Sequence, residues 1–252
     1  MGKPAPIRGQ IAVFSQVRTR VKRHQRGPFW RRVCYQARVL RYDFRLRIFA
    51  VCLAALAGYV DALAFIELGG FFVSFMSGNS TRLGVGLEGV RESHNWAVAG
   101  GLILSFVSGV VAGTVVGRLA RRGRHVVLLF CVAGLLAAAA ACNQVGFTAA
   151  AVAAMAFAMG VENTVFERDG EVSIGLTYMT GTLVKLGQRI ASALFGGDRF
   201  AWAAYLSLWM GLVAGAIAGA MIYPHLGLSA LWFAALAAAA LALSTYKTSL
   251  GG

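Results

Sequence analysis

Residues 58–87 read GYVDALAFIELGGFFVSFMSGNSTRLGVGL. The stretch is apolar enough for a bilayer interior, yet it carries Asp61, Glu67, Asn79 and Arg82. A charge at the centre of a membrane helix is unfavourable by about 2.5–3.5 kcal/mol on insertion scales, so such groups face protein or water and mark a function by default. Glu67 lies close to the interface and is expected to be solvated.

The rest of the chain agrees with a membrane setting. Of its 252 residues 58% are hydrophobic and 13% charged, against about 25% charged in soluble domains. Apolar runs near the ~20 residues of a spanning helix fall at 48–69, 97–118, 126–145, 147–166, 202–222 and 227–245. Two more, 71–88 and 172–190, are apolar but interrupted by glycines and polar residues. The pattern predicts an all-α, polytopic membrane helix bundle.

Charge is uneven. Residues 1–47 hold thirteen Lys or Arg against the single acid Asp43, a net +12 out of the chain's +14. An arm of this kind beside a bilayer is attracted to anionic headgroups, by about 1 kcal/mol per basic residue, and no nucleic-acid partner is expected. Phe14, Val17 and Val21, then Trp30, Val33, Ala37 and Leu40, recur at helical spacing and suit surface contact. The alternative is a basic tail that only fixes topology. Cys34, Cys52, Cys131 and Cys142 show no C-x-x-C spacing, and the histidines keep no nucleophile company, so no metal, cofactor or enzymatic activity is expected.

Self-comparison exposes a repeat. Shifted by 102, SFVSGVVAGTVVG (105–117) falls on SLWMGLVAGAIAG (207–219); shifted by 103, SFMSGNSTRLG (74–84) falls on TYMTGTLVKLG (177–187). Gly58 and Asp61 likewise fall on Gly160 and Asn163. The predicted organisation is a basic cytoplasmic arm, 1–47, and two membrane repeats, 48–145 and 146–246. Gly109, Gly113 and Gly117, like Gly211, Gly215 and Gly219, stand four residues apart, which makes a face for close helix packing.

The positive-inside rule asks that both the arm and RLARRGR (118–124) be cytoplasmic. That holds if 71–88 is re-entrant rather than spanning. Each repeat then has three crossings, the second repeat is inverted, and both chain termini are cytoplasmic. Inverted repeats with discontinuous helices are a plan of secondary transporters. The candidate ligands are Asp61, Ser77, Gly78, Asn79 and Arg82 in the first repeat, and Glu162, Asn163, Thr180, Gly181, Thr182 and Lys185 in the second. Glycine frees backbone N–H groups where each broken helix restarts, Arg82 and Lys185 add positive charge, and Asp61 and Glu162 supply acid. The competing reading is structural: ion pairs of Asp61 with Arg82 and of Glu162 with Lys185.

GYVDALAF, LGGFFVSFMSGNSTRLG, MGVENTVF and TYMTGTLVKLG together resemble the YoaK family of bacterial multi-pass membrane proteins, over roughly 45–245. The resemblance implies an inner-membrane protein of undefined function, described in some members as a small-molecule permease, with the family pattern falling on Gly58, Asp61, Ala62, Ser77, Gly78, Asn79, Asn163, Thr180 and Gly181. The chain departs from that pattern at Ser77, at Glu162 and in its long arm. The expectation is a permease for a small polar solute, with an anion among the candidates and proton coupling through the buried acids. The alternative is a scaffold or sensor whose arm binds lipid or a partner. A homo-oligomer is compatible with either.

Overall fold

The computed structural model describes residues 44–88, 95–120, 123–168, 171–172 and 176–250. The basic arm, save its last residues from Phe44 on, lies outside the described residues. The described chain is built from eight α-helices: α1 Phe44–Glu67, α2 Met76–Leu87, α3 Asn95–Leu119, α4 Arg124–Gln144, α5 Thr148–Asn163, α6 Met179–Leu194, α7 Ala203–Leu226 and α8 Leu231–Leu250. A two-residue antiparallel ladder, Glu167–Arg168 with Glu171–Val172, follows α5. The fold is all-α.

Helices α1, α3 and α4 are each long and apolar enough to cross a bilayer, as is the 44-residue stretch Ala203–Tyr246. At about 1.5 Å per residue that stretch is twice a bilayer's apolar thickness. A 3-10 turn, Gly227–Ala230, divides it into α7 and α8, which pack on different partners, α1 and α4. Helix α5 is apolar but only 16 residues long; it ends before the expected 166, where the backbone tightens to i→i−3 hydrogen bonds, Thr164 N–H to Val161 O and Val165 N–H to Glu162 O, both 3.0 Å. The broken segments yield short helices. The 12 residues of α2 reach about 18 Å, too little to span.

Helix direction follows from the glycine contacts. Gly211, Gly215 and Gly219 of α7 lie against the backbones of Val51, Ala55 and Tyr59, so α1 and α7 run parallel. Gly109 and Gly113 of α3 meet Phe157 and Val161 in the same sense on α5. Phe49, near the start of α1, stacks edge-on at 5.6 Å with Phe166, just past the end of α5. Helix α1 therefore opposes α5, and with it α3. The chain leaves α1 at one end of the bundle and begins α3 at that same end. Residues 68–88 therefore do not cross.

The pairing is reciprocal with respect to the sequence repeat. The first helix of each repeat packs on the third of the other, α1 on α7 and α5 on α3, while the fourth helices, α4 and α8, pack on each other. Leu53, Leu63, Leu128, Leu136, Met155 and Leu231 fill the interior, and Leu104, Val111, Ile217, Met221 and Leu236 are exposed on the outside. Helices apolar all round in this way suit lipid. Glu67 is not merely solvated: it is half-buried and accepts a 2.6 Å hydrogen bond from the Tyr223 hydroxyl, tying the end of α1 to α7.

Candidate functional site

Past Glu67 the chain turns on Gly69 and Gly70, whose φ angles of 62° and 111° suit residues without a Cβ. The returning backbone reaches back to Asp61. Oδ1 of Asp61 accepts hydrogen bonds of 2.8 Å from the N–H groups of Val73 and Ser74, and Oδ2 accepts the Ser74 hydroxyl. Three donors on one carboxylate satisfy an anion where water is scarce. Asn79, fully buried, closes the same turn: its Oδ1 accepts from Phe72 N–H at 3.1 Å, and its amide donates to the Phe72 carbonyl. Both ends of that amide are thus occupied by backbone.

The aligned positions of the second repeat make a related clasp. Asn163, where the repeat places the counterpart of Asp61, accepts the Thr177 hydroxyl at 3.0 Å, and Thr177 aligns with Ser74. The Asn163 amide donates to Met159 O at 2.9 Å. Beside it Glu162 is completely buried, and among the described residues neither carboxyl oxygen has a hydrogen-bond partner.

Two cavities meet at these clasps. One, of about 740 Å³, is lined by Ser77, Asn163, Thr180 and Gly181 and runs along Thr114 to Arg118 and Glu167. The other, about 540 Å³, is lined by Gly58, Asp61, Ala62 and Phe65 of α1 and by Leu212 and Ala216 of α7. Ser74, Phe75, Thr177 and Met179 border both. They form the partition. The first cavity reaches the end of the bundle where α3 finishes and α4 begins; the second reaches towards the opposite end, where α1 and α7 finish.

This geometry redistributes the expected ligands. Ser77, Asn163, Thr180 and Gly181 share the larger cavity, whereas Asp61 faces the smaller one across the partition. Gly78, Asn79, Arg82, Glu162, Thr182 and Lys185 line neither. Arg82 lies over the Phe71 ring at 4.8 Å from its centroid, and no ion pair joins it to Asp61 or joins Lys185 to Glu162 among the described residues. Thr182 is buried and turns its hydroxyl to the Tyr178 carbonyl at 3.1 Å.

The charged mouth of the larger cavity escaped the sequence reading. Arg124 and Glu167 pair at 2.9 Å with little exposure; Glu167 also accepts the Thr114 hydroxyl at 3.0 Å, and Arg124 donates to the Thr164 carbonyl at 3.0 Å. Arg118 and Arg124 belong to RLARRGR, and Glu167 opens ERDGE. Loop charges of this kind inform topology, but their sequence positions carry no signal that they border a cavity.

Several helices long and apolar enough to cross a bilayer, in an all-helical bundle, define a polytopic α-helical membrane protein. The family described as "Protein of unknown function (DUF1275)" matches residues 49–244, and the chain belongs to it. It is 36% identical over 195 residues, 76% of this chain and 82% of the relative, to "UPF0700 transmembrane protein RA0705" of Rhizobium meliloti (strain 1021). No solved structure matches.

Proposed function

We propose that the protein is an inner-membrane permease for a small polar solute, built from two inverted repeats, 48–145 and 146–246, behind a cytoplasmic basic arm, 1–47. The carrying observation is the pair of cavities that approach from opposite ends and stop at Ser74–Phe75 and Thr177–Met179. Solute passes when these two turns part, as in alternating access around discontinuous segments. Asp61 is the acid on the pathway and the group through which protons would couple. No step requires a cofactor or covalent chemistry.

The orientation puts both chain termini, Arg122 and the larger cavity in the cytoplasm, and Val145 and Tyr223 outside. Reporter fusions after those three residues should read inside, outside and outside. The function is tested by stopped-flow light scattering of proteoliposomes in gradients of glycerol, urea and small organic acids. At least one should equilibrate faster than in empty liposomes, and faster again after Phe75→Ala thins the partition. Rates equal to empty liposomes for every solute and for both proteins would refute the permease.

A second reading, a non-transporting scaffold or sensor, rests on the +12 arm. It expects removal of 1–40 to abolish function while leaving the membrane unit intact, and anionic lipid to bind the arm.

A further inference from the structure

The two cavities are built from aligned positions of the repeat, which allows a residue-by-residue comparison of their walls. Thr114, Arg118, Thr164 and Glu167 of the larger cavity correspond, at the offset of 102, to Ala216, Ala220, Ala62 and Phe65 of the smaller. Each of these four polar groups is replaced by an apolar one on the other side, while Asn163 is matched by Asp61. The two sides do not offer a solute the same surface.

Charge among the described residues of the polar side does not cancel. Glu167 is neutralised by Arg124 at 2.9 Å and further occupied by the Thr114 hydroxyl. Arg118, in the last turn of α3, borders the same cavity and is exposed. Among the described residues it has no hydrogen-bond or ion-pair partner. One guanidinium is left over.

Taking the permease reading as its basis, we infer that the larger cavity selects a small organic anion, with Arg118 holding the anionic group. A guanidinium presents parallel N–H donors that match a carboxylate, sulfonate or phosphate. The volume, about 740 Å³, lies within the range of small-molecule sites, about 300–1,000 Å³. Phe75, Phe106, Val110 and Met179 give the wall an apolar share, which favours an organic anion over a bare inorganic one. The positive charge that the sequence assigned to Arg82 and Lys185 is therefore supplied from another helix, and the smaller cavity, with Asp61 as its acid, exerts no matching preference for anions.

Charged thiol reagents test this without a known solute. In a chain whose Cys34, Cys52, Cys131 and Cys142 are serine, a single cysteine replaces Thr180 or, independently, Ser77. Rates of modification are measured in proteoliposomes with a sulfonate-bearing and a trimethylammonium-bearing methanethiosulfonate, and with an uncharged one. The sulfonate reagent should outpace the ammonium reagent about tenfold at both positions, relative to their ratio on a small free thiol, because a nearby fixed charge changes local ion concentration on that scale. Arg118→Gln should remove the preference and Arg118→Lys should keep it. A preference absent from the parent, or unchanged by Arg118→Gln, would overturn the anion assignment while leaving a water-filled path. If even the uncharged reagent reaches neither cysteine in well-folded protein, the path itself is absent, and the permease reading fails with it.

Discussion

The clasps at Asp61 and Asn163 hold the turns before α2 and α6 with different chemistry. Asp61 is purely an acceptor and takes Val73 N–H, Ser74 N–H and the Ser74 hydroxyl. Asn163 divides its amide, accepting from Thr177 and donating to Met159 O. A neutral side chain thus makes the equivalent hydroxyl clasp, so closing a turn of this kind does not require a negative charge. The difference teaches that the charge of Asp61 is additional to its role in closing the turn, and that the two halves, alike in backbone plan, differ in the chemistry of their clasps.

The glycine seams offer the severest test of that likeness. A Cβ on Gly215 would fall on the Ala55 carbonyl, and one on Gly58 on the Leu212 carbonyl. In the first repeat a Cβ on Gly113 would fall 2.6 Å from the Thr164 hydroxyl, which can rotate away, and 3.1 Å from the Val161 Cα, a looser backbone contact than at Gly215. Gly215→Leu should therefore cost well over the ~1–3 kcal/mol typical of overpacking and nearly abolish accumulation of monodisperse protein. Gly113→Leu should lower it only partly. Fluorescence-detected size-exclusion chromatography of tagged variants measures both; equal effects would mean that the two positions are equally tight.

Next come the clasps. Asp61→Ala strands three donors, each worth about 1–3 kcal/mol when buried and unpaired, and should sharply lower the apparent Tm in detergent. Asp61→Asn keeps Oδ1 for the two N–H groups and can donate to the Ser74 oxygen, so the loss should stay near 1 kcal/mol while any pH-dependent flux disappears. The reverse change, Asn163→Asp, sets a carboxylate against Met159 O and should destabilise more than Asp61→Asn. Thermal melts of the three variants rank them. A greater loss in Asp61→Asn than in Asn163→Asp would reverse the comparison.

Glu162 has no counterpart of its kind in the first repeat, where Val60 stands at the aligned position. A buried carboxyl group without partners burdens the fold, so Glu162→Leu should raise stability by about 1–3 kcal/mol, again read from melting. Stability gained with flux lost would identify a functional acid; stability lost would show that the group has a hidden partner. The smallest effect is expected from Arg82→Gln, which removes a cation–π contact worth about 0.5–1 kcal/mol and leaves the cavity walls unchanged. A large fall in accumulation would assign Arg82 a structural partner other than Phe71.

Hydropathy was sufficient to determine a helical membrane bundle with two interrupted segments, because lipid imposes backbone satisfaction and length on any chain that enters it. That Asp61, Asn79 and Asn163 need partners within the protein was also legible, since uncompensated polar groups at membrane depth are rare. Their roles were not. Whether Asn79 faces a solute or the Phe72 backbone depends on where eight residues of loop return, and local sequence does not encode that path. The grouping of Arg118, Thr114 and Glu167 along one cavity was equally invisible, because Glu167 reaches α3 only through the parallel packing of α5 on it. Sequence determined which residues are expensive to bury; tertiary packing decided which of them meet, because contacts between distant helices depend on the directions and close approaches of whole backbones.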